Sequence, residues 1–109
     1  MLCKPILVSL GMVFICVQAH AGDVNRAFAA AQGGDFETAM DEWMPLAEQG
    51  FARAQYNIGV MHEMGEGVPQ YYKTAVKWYT LAAKQGYIFA QYNLALKYFN
   101  GNGVAKDRD

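Results

Sequence analysis

The side chains able to do chemistry are few, and their spacing is unfavourable for it. His62 is followed by Glu63, but no second histidine stands four residues on, so the paired-imidazole spacing of a helical zinc site is missing. The one serine, Ser9, lies in an apolar stretch near the start of the chain, far from any Ser-His-Asp arrangement. Gly65 and Gly67 have the spacing that opens a phosphate loop. No Gly-Lys-Ser/Thr follows them and no strand pattern precedes them, so they read as a turn. Asp107 and Asp109 pair two carboxylates at a terminus with no apolar surroundings to shift a pKa. Nine Lys+Arg against ten Asp+Glu give a net charge of −1, which leaves no basic surplus to neutralise phosphates and argues against a nucleic-acid partner. No catalytic residue, metal site or cofactor is expected.

The two cysteines, Cys3 and Cys16, fall in a segment with the marks of a secretory signal peptide. Lys4 supplies its positive start, Ile6 to Val17 its apolar run, and Ala19-His20-Ala21 a small-x-small cleavage pattern with the cut after Ala21. A retained membrane span needs about 20 apolar residues, and this run breaks at Gln18 and His20. Lipidation at Cys16 is disfavoured by the bulky Val13-Phe14-Ile15 before it. Residues 1–21 are therefore expected to be removed and residues 22–109 to form the mature domain, without a thiol and without a stable membrane span. A periplasmic or secreted location follows from that expectation, and a chain without cysteine has nothing to mispair in an oxidising compartment.

The elements that position the remaining side chains repeat. With Gly50 placed over Gly86, an offset of 36, Ala54-Gln55-Tyr56-Asn57 falls on Ala90-Gln91-Tyr92-Asn93, and Gly65-x-Gly67-Val68 on Gly101-x-Gly103-Val104. In the same register Thr38-Ala39 falls on Thr74-Ala75, Trp43 on Tyr79, Ala47 on Ala83 and Gln49-Gly50 on Gln85-Gly86. A period in the thirties suits one helix–turn–helix unit per repeat. Apolar Ala54, Ile58, Met61 and Met64 have helical spacing within 51–64, and Ala75, Trp78, Tyr79, Ala82 and Ala83 within 71–85. Gly65 caps the first of these helices and Pro69 blocks its continuation. An abbreviated unit precedes them: helix 24–32, a Gly33-Gly34 turn, and helix 36–49 capped by Asp35. Pro45 is expected to kink that helix or leave an irregular turn. Trp43, Trp78 and Tyr79 read as core.

These motifs, A-x-x-x-[LI]-[GA]…G-x-G-V…A…W-Y…A-A-x-Q-G, resemble the Sel-one-like repeat family, relatives of tetratricopeptide repeats with a period near 36 residues. The resemblance covers 23–109, in units of about 23–50 and 51–86 and a partial unit 87–109. It implies an all-α fold, a right-handed superhelix of antiparallel helix pairs. Asp35 and Asp107 match the family's cap before the second helix, whereas the full copy has Tyr71 there. Because Asp109 falls where the next second helix should begin, either the last helix stays unpaired or the array continues. An unpaired helix would expose Leu94, Leu96, Tyr98 and Phe99 and favour self-association. With about two and a half repeats, stability is expected to be marginal.

The resemblance implies a non-catalytic adaptor that holds a protein or peptide partner on the face lined by the first helix of each pair. In this sequence that face carries Arg53, Tyr56, Asn57, Val60 and Glu63. Its counterpart one repeat on carries Phe89, Tyr92, Asn93, Leu96 and Phe99. Tyr and Arg are common interface anchors, and an Asn amide can donate to and accept from an extended backbone. The same tyrosines equally suit packing between repeats, the asparagines suit bonds to a neighbouring turn, and Arg53 suits plain solvation. An envelope hydrolase or cell-wall-ligand-binding protein is the alternative implied by cysteine-rich members. Residues 22–109 lack the cysteines on which that likeness depends.

Overall fold

The computed structural model describes residues 6–8, 11–13 and 22–104. Two short strands, β1 (Ile6–Val8) and β2 (Gly11–Val13), pair antiparallel within the expected leader, with Leu7 opposite Met12. The other expectations for 1–21, and those for Asp107 and Asp109, lie outside the described residues. From Asp23 onward the described chain is helical: α1 (Val24–Gln32), α2 (Phe36–Glu48), α3 (Ala52–Met64), α4 (Tyr72–Lys84) and α5 (Ile88–Asn100). Each helix packs on the next in sequence. The result is an all-α, right-handed superhelix of antiparallel pairs, as the repeat implied.

Local chemistry sets the helix ends. Asp23 Oδ1 accepts from the backbone N–H groups of Asn25 and Arg26 at 2.9 and 3.1 Å. Asp35 Oδ1 accepts from Thr38 N–H at 3.1 Å, and the Thr38 side chain, with this backbone bond, holds the Asp35 carboxyl below the usual carboxylate range. Phe51, Tyr71 and Tyr87 precede α3, α4 and α5 in extended backbone and supply no side-chain cap. Those three helices are held by packing rather than by their starts. The irregular turn expected at Pro45 does not form, and α2 runs through it to Glu48. Proline removes the donor for the carbonyl of Asp41. Asp41 is exposed, so water reaches that side of the helix.

The turn after α3 has a steric reason for its second glycine. Gly67 has φ +77°, and a β-carbon there would lie 2.6 Å from Phe36 Cβ at the start of α2. One period on, Gly103 has φ +85°, and its β-carbon would lie 2.6 Å from the Tyr72 carbonyl carbon at the start of α4. The turn of each repeat thus lies against the second helix of the repeat before it. A polar contact follows the same register. Gln55 Nε2 donates to the Ala47 carbonyl and Gln91 Nε2 to the Ala83 carbonyl, each at 3.1 Å. Both carbonyls belong to the last turn of a helix, where each also accepts from the backbone N–H of the glycine that follows, Gly50 or Gly86.

Apolar burial divides into two clusters that meet on α3. The first joins Ala27, Ala39, Trp43 and Leu46 to Ala54, Ile58 and Met61. The second joins Ala75, Tyr79 and Ala82 to Ala90, with Tyr56 and Val60 packed against it. Trp43 and Tyr79 are fully buried, as their place in the stripe required, and Trp78 is partly buried. Gly59 lets α4 approach: a β-carbon there would lie 2.6 Å from the Tyr79 ring. Polar side chains, Gln55 and Glu63, stand on α3, where the two clusters meet.

Candidate functional site

Helices α3 and α5 are the first helices of their repeats, and the side chains expected on the binding face lie on them. The structure sorts these residues into three groups. The first is engaged between repeats. Glu63 accepts a 2.6 Å hydrogen bond from the Tyr79 hydroxyl and pairs with Lys97 Nζ. Lys97 is 6% exposed, and its Nζ lies 5.1 Å from the Tyr72 ring centroid. Asn93 hydrogen-bonds the hydroxyls of Tyr79 and Tyr56. Tyr56 stacks at a tilt on Tyr79, Tyr87 and Phe89, with ring centroids 5.3 to 6.2 Å apart. Burial raises the hydroxyl pKa of both Tyr56 and Tyr79. For Tyr79 the bond to the Glu63 carboxylate adds to it, because that bond favours the protonated phenol.

The second group is exposed. Phe89 is 60% and Tyr92 65% exposed, beside Ile88 at 67%. Leu96 and Phe99 are exposed on the same helix. Lys97 is the only charged residue of α5 and is buried in its pair with Glu63, so the outer surface of this helix carries no charge.

The third group borders a cleft between the first two repeats. Asn57 and Val60 form one wall with Met61, and Phe28, Phe36 and Trp43 form the others. Glu66, from the glycine turn, stands at the rim. The cleft has a volume of about 100 Å³. Phe28 meets Trp43 edge to face at 5.5 Å, and Arg53 lies over the outer face of Phe28 at 4.3 Å. Asn57 Nδ2 is buried and has no hydrogen-bond partner.

Of the ten side chains expected on the face, then, Tyr56, Glu63 and Asn93 are tied into the second junction. Asn57 and Val60 line the cleft, Arg53 covers a ring beside it, and Phe89, Tyr92, Leu96 and Phe99 stand on the outer face of α5. Phe28 and Phe36 were not anticipated, because the first unit lacks the full-length turn and its register cannot be read by the 36-residue offset, and Glu66 was not, because it occupies the unspecified position of the glycine turn. The burial of Lys97 did have a signal: it falls on Met61, a core position of the preceding repeat. His62 is partly buried, with Nδ1 buried and unpaired. Among the described residues no three His, Cys, Asp or Glu side chains come together as a metal-holding group, and no helix is long and apolar enough to cross a membrane.

The helix pairs, the repeated glycine turn and the contacts at one register define a short α-helical solenoid of the tetratricopeptide-like kind. The Sel1 repeat model matches residues 52–87 and 88–109, and the chain belongs to the Sel1 repeat family. The family consists in general of helical modules for protein–protein interaction. Among solved structures, a Sel1 repeat protein from Oxalobacter formigenes is 33% identical with a TM-score of 0.74, covering 78% of this chain and 35% of its own. The protein c5321, a protective antigen present in uropathogenic Escherichia coli strains and displaying an SLR fold, is 42% identical with a TM-score of 0.70. That match covers 74% of this chain and 18% of c5321. The chain thus spans about a third or less of the length of these relatives. No curated protein matches it.

Proposed function

We propose that the protein is a non-catalytic adaptor that binds a partner protein or peptide across the first helices of its repeats, after export to the periplasm or the exterior and cleavage behind Ala21. The observation that carries this reading is the uncharged outer surface of α5, where Ile88, Phe89 and Tyr92 are 60–67% exposed. Large apolar side chains grouped on one helix face mark an interaction surface far more often than scattered ones do. The leader-like pattern of residues 1–21 supports the location. A photo-crosslinking residue placed at Tyr92 in the full-length chain, expressed in a host that retains the partner, should give a discrete adduct. Mass spectrometry of the purified chain should find Gly22 at its N-terminus. A chain with an intact leader and no adduct would refute both parts.

A second reading has its own observation. A surface without charge has nothing to repel its own copy, and two α5 helices meeting antiparallel would oppose their dipoles favourably. Self-association through α5 should then appear as a dimer in light scattering and disappear in Tyr92→Lys. A monomer at high concentration would refute it.

A further inference from the structure

The two junctions between repeats are built from the same register but differ at one atom. At the second junction Asn93 faces Tyr79 and Tyr56, and its amide is satisfied by their hydroxyls. At the first junction the residue equivalent to Tyr79 is Trp43. An indole has no oxygen and can only donate, so it offers nothing to the amide of Asn57. The Asn57 Nδ2 group is buried without a partner, and Asn57 is one of the residues that line the cleft together with Trp43, Phe28 and Phe36. A buried donor left unpaired is costly unless something outside the fold completes it.

We infer that this cleft is a recognition pocket for one branched aliphatic side chain of an extended peptide, with the Asn57 amide turning toward the cleft to donate to a backbone carbonyl of that peptide and a basic side chain following toward Glu66. The inference rests on the interaction-module reading and names the subsite and the chemistry of its ligand. Volume sets the first requirement. A cleft of about 100 Å³ is smaller than the roughly 150 Å³ cavity that accepts a benzene ring, and it suits a leucine or isoleucine side chain rather than an aromatic one. Hydrogen bonding sets the second, because a free N–H needs an acceptor and a peptide carbonyl is the acceptor every extended ligand presents. Charge sets the third. The Glu66 carboxylate makes no ion pair among the described residues and stands at the rim. The second junction offers no such site: Asn93 is paired, and Glu63 is held by Tyr79 and Lys97.

The test uses the purified full chain and three capped dipeptides, acetyl-leucyl-lysyl amide, acetyl-glycyl-lysyl amide and acetyl-leucyl-glutamyl amide, followed by the NMR shifts of the Asn57 side-chain amide and the Trp43 indole. The leucyl-lysyl probe should shift both signals saturably. The glycyl probe should bind about tenfold or more weakly, the loss expected for leaving the apolar pocket empty. Glu66→Gln should abolish the preference for lysyl over glutamyl. Trp43→Tyr supplies the missing hydroxyl, should pair it with Asn57, and should reduce leucyl-lysyl binding by about tenfold. Asn57→Asp, of nearly the same shape, should do likewise by placing an acceptor where a donor was. Equal binding of the glycyl and leucyl probes, or undiminished binding in both Trp43→Tyr and Asn57→Asp, overturns the pocket. A Tyr92 adduct that persists unchanged in Trp43→Tyr also overturns the pocket while leaving the interaction module standing. Loss of the adduct in the wild-type chain removes the module itself.

Discussion

Replacing Lys97 by methionine probes the contact that joins three helices of the second junction. Lys97 occupies the position that Met61 holds one repeat earlier, so methionine fits the register and the apolar space. The charge it removes is the partner of Glu63, which would keep only the Tyr79 hydroxyl at 2.6 Å. Breaking a buried ion pair from one side costs about 3–5 kcal/mol. The Glu63 side chain is 23% exposed, so water can take up part of the lost contact, and Lys97→Met should cost about 2–3 kcal/mol. For a domain of this size that lowers Tm by roughly 10–20 °C. Adding Glu63→Gln keeps an oxygen for the Tyr79 hydroxyl and removes the stranded charge. The double variant should return to within about 1 kcal/mol of the wild type. Urea unfolding followed by circular dichroism and tryptophan fluorescence measures all three. If Lys97→Met unfolds at the wild-type midpoint, or if Glu63→Gln fails to rescue it, the pair does not hold the junction and the reasoning is wrong.

Other perturbations separate steric from electrostatic causes. Gly67→Ala meets both a positive φ of +77° and the Phe36 side chain, whereas Gly86→Ala meets a φ of +88° and open space. Both should lose about 1–2 kcal/mol for the left-handed backbone, and Gly67→Ala should lose about 1–3 kcal/mol more for the clash, as chemical denaturation will show. Tyr79 has its pKa raised on folding, so above the ordinary tyrosine range the folded state holds a proton that the unfolded chain releases. Stability should therefore fall as pH rises past about 10, by roughly 1.4 kcal/mol per pH unit for this group, and Tm measured against pH should decline less steeply in Tyr79→Phe. Asp35 has a lowered pKa. Its contribution is present above the unfolded carboxyl value and fades as pH drops through the folded one. Asp35→Asn should accordingly flatten the acid side of the Tm profile.

The comparison of the two glutamines shows how far the repeat register carries. Gln55 and Gln91 were visible as a repeated pair, and each makes the same bond to the alanine carbonyl eight residues before it. Equal positions in a solenoid see equal neighbours, so a contact made once recurs. The register fails where a neighbour differs. Asn57 and Asn93 are identical in sequence but opposite in state, because one faces Trp43 and the other Tyr79. Tyr56 and Tyr92 diverge for the same reason: α3 is followed by a helix and the next repeat, and the exposed side of α5 by neither among the described residues.

The sequence by itself determined the helices, their ends and the period. Apolar spacing, glycine and capping residues act within a few positions along the chain, and α3, α4 and α5 each formed as 13-residue helices. Only the tertiary structure decided which polar groups would be satisfied. Whether Lys97 is paired, Asn57 orphaned or Glu66 left at the rim of a cleft depends on side chains that meet across the gap between helices, and no local preference encodes that meeting.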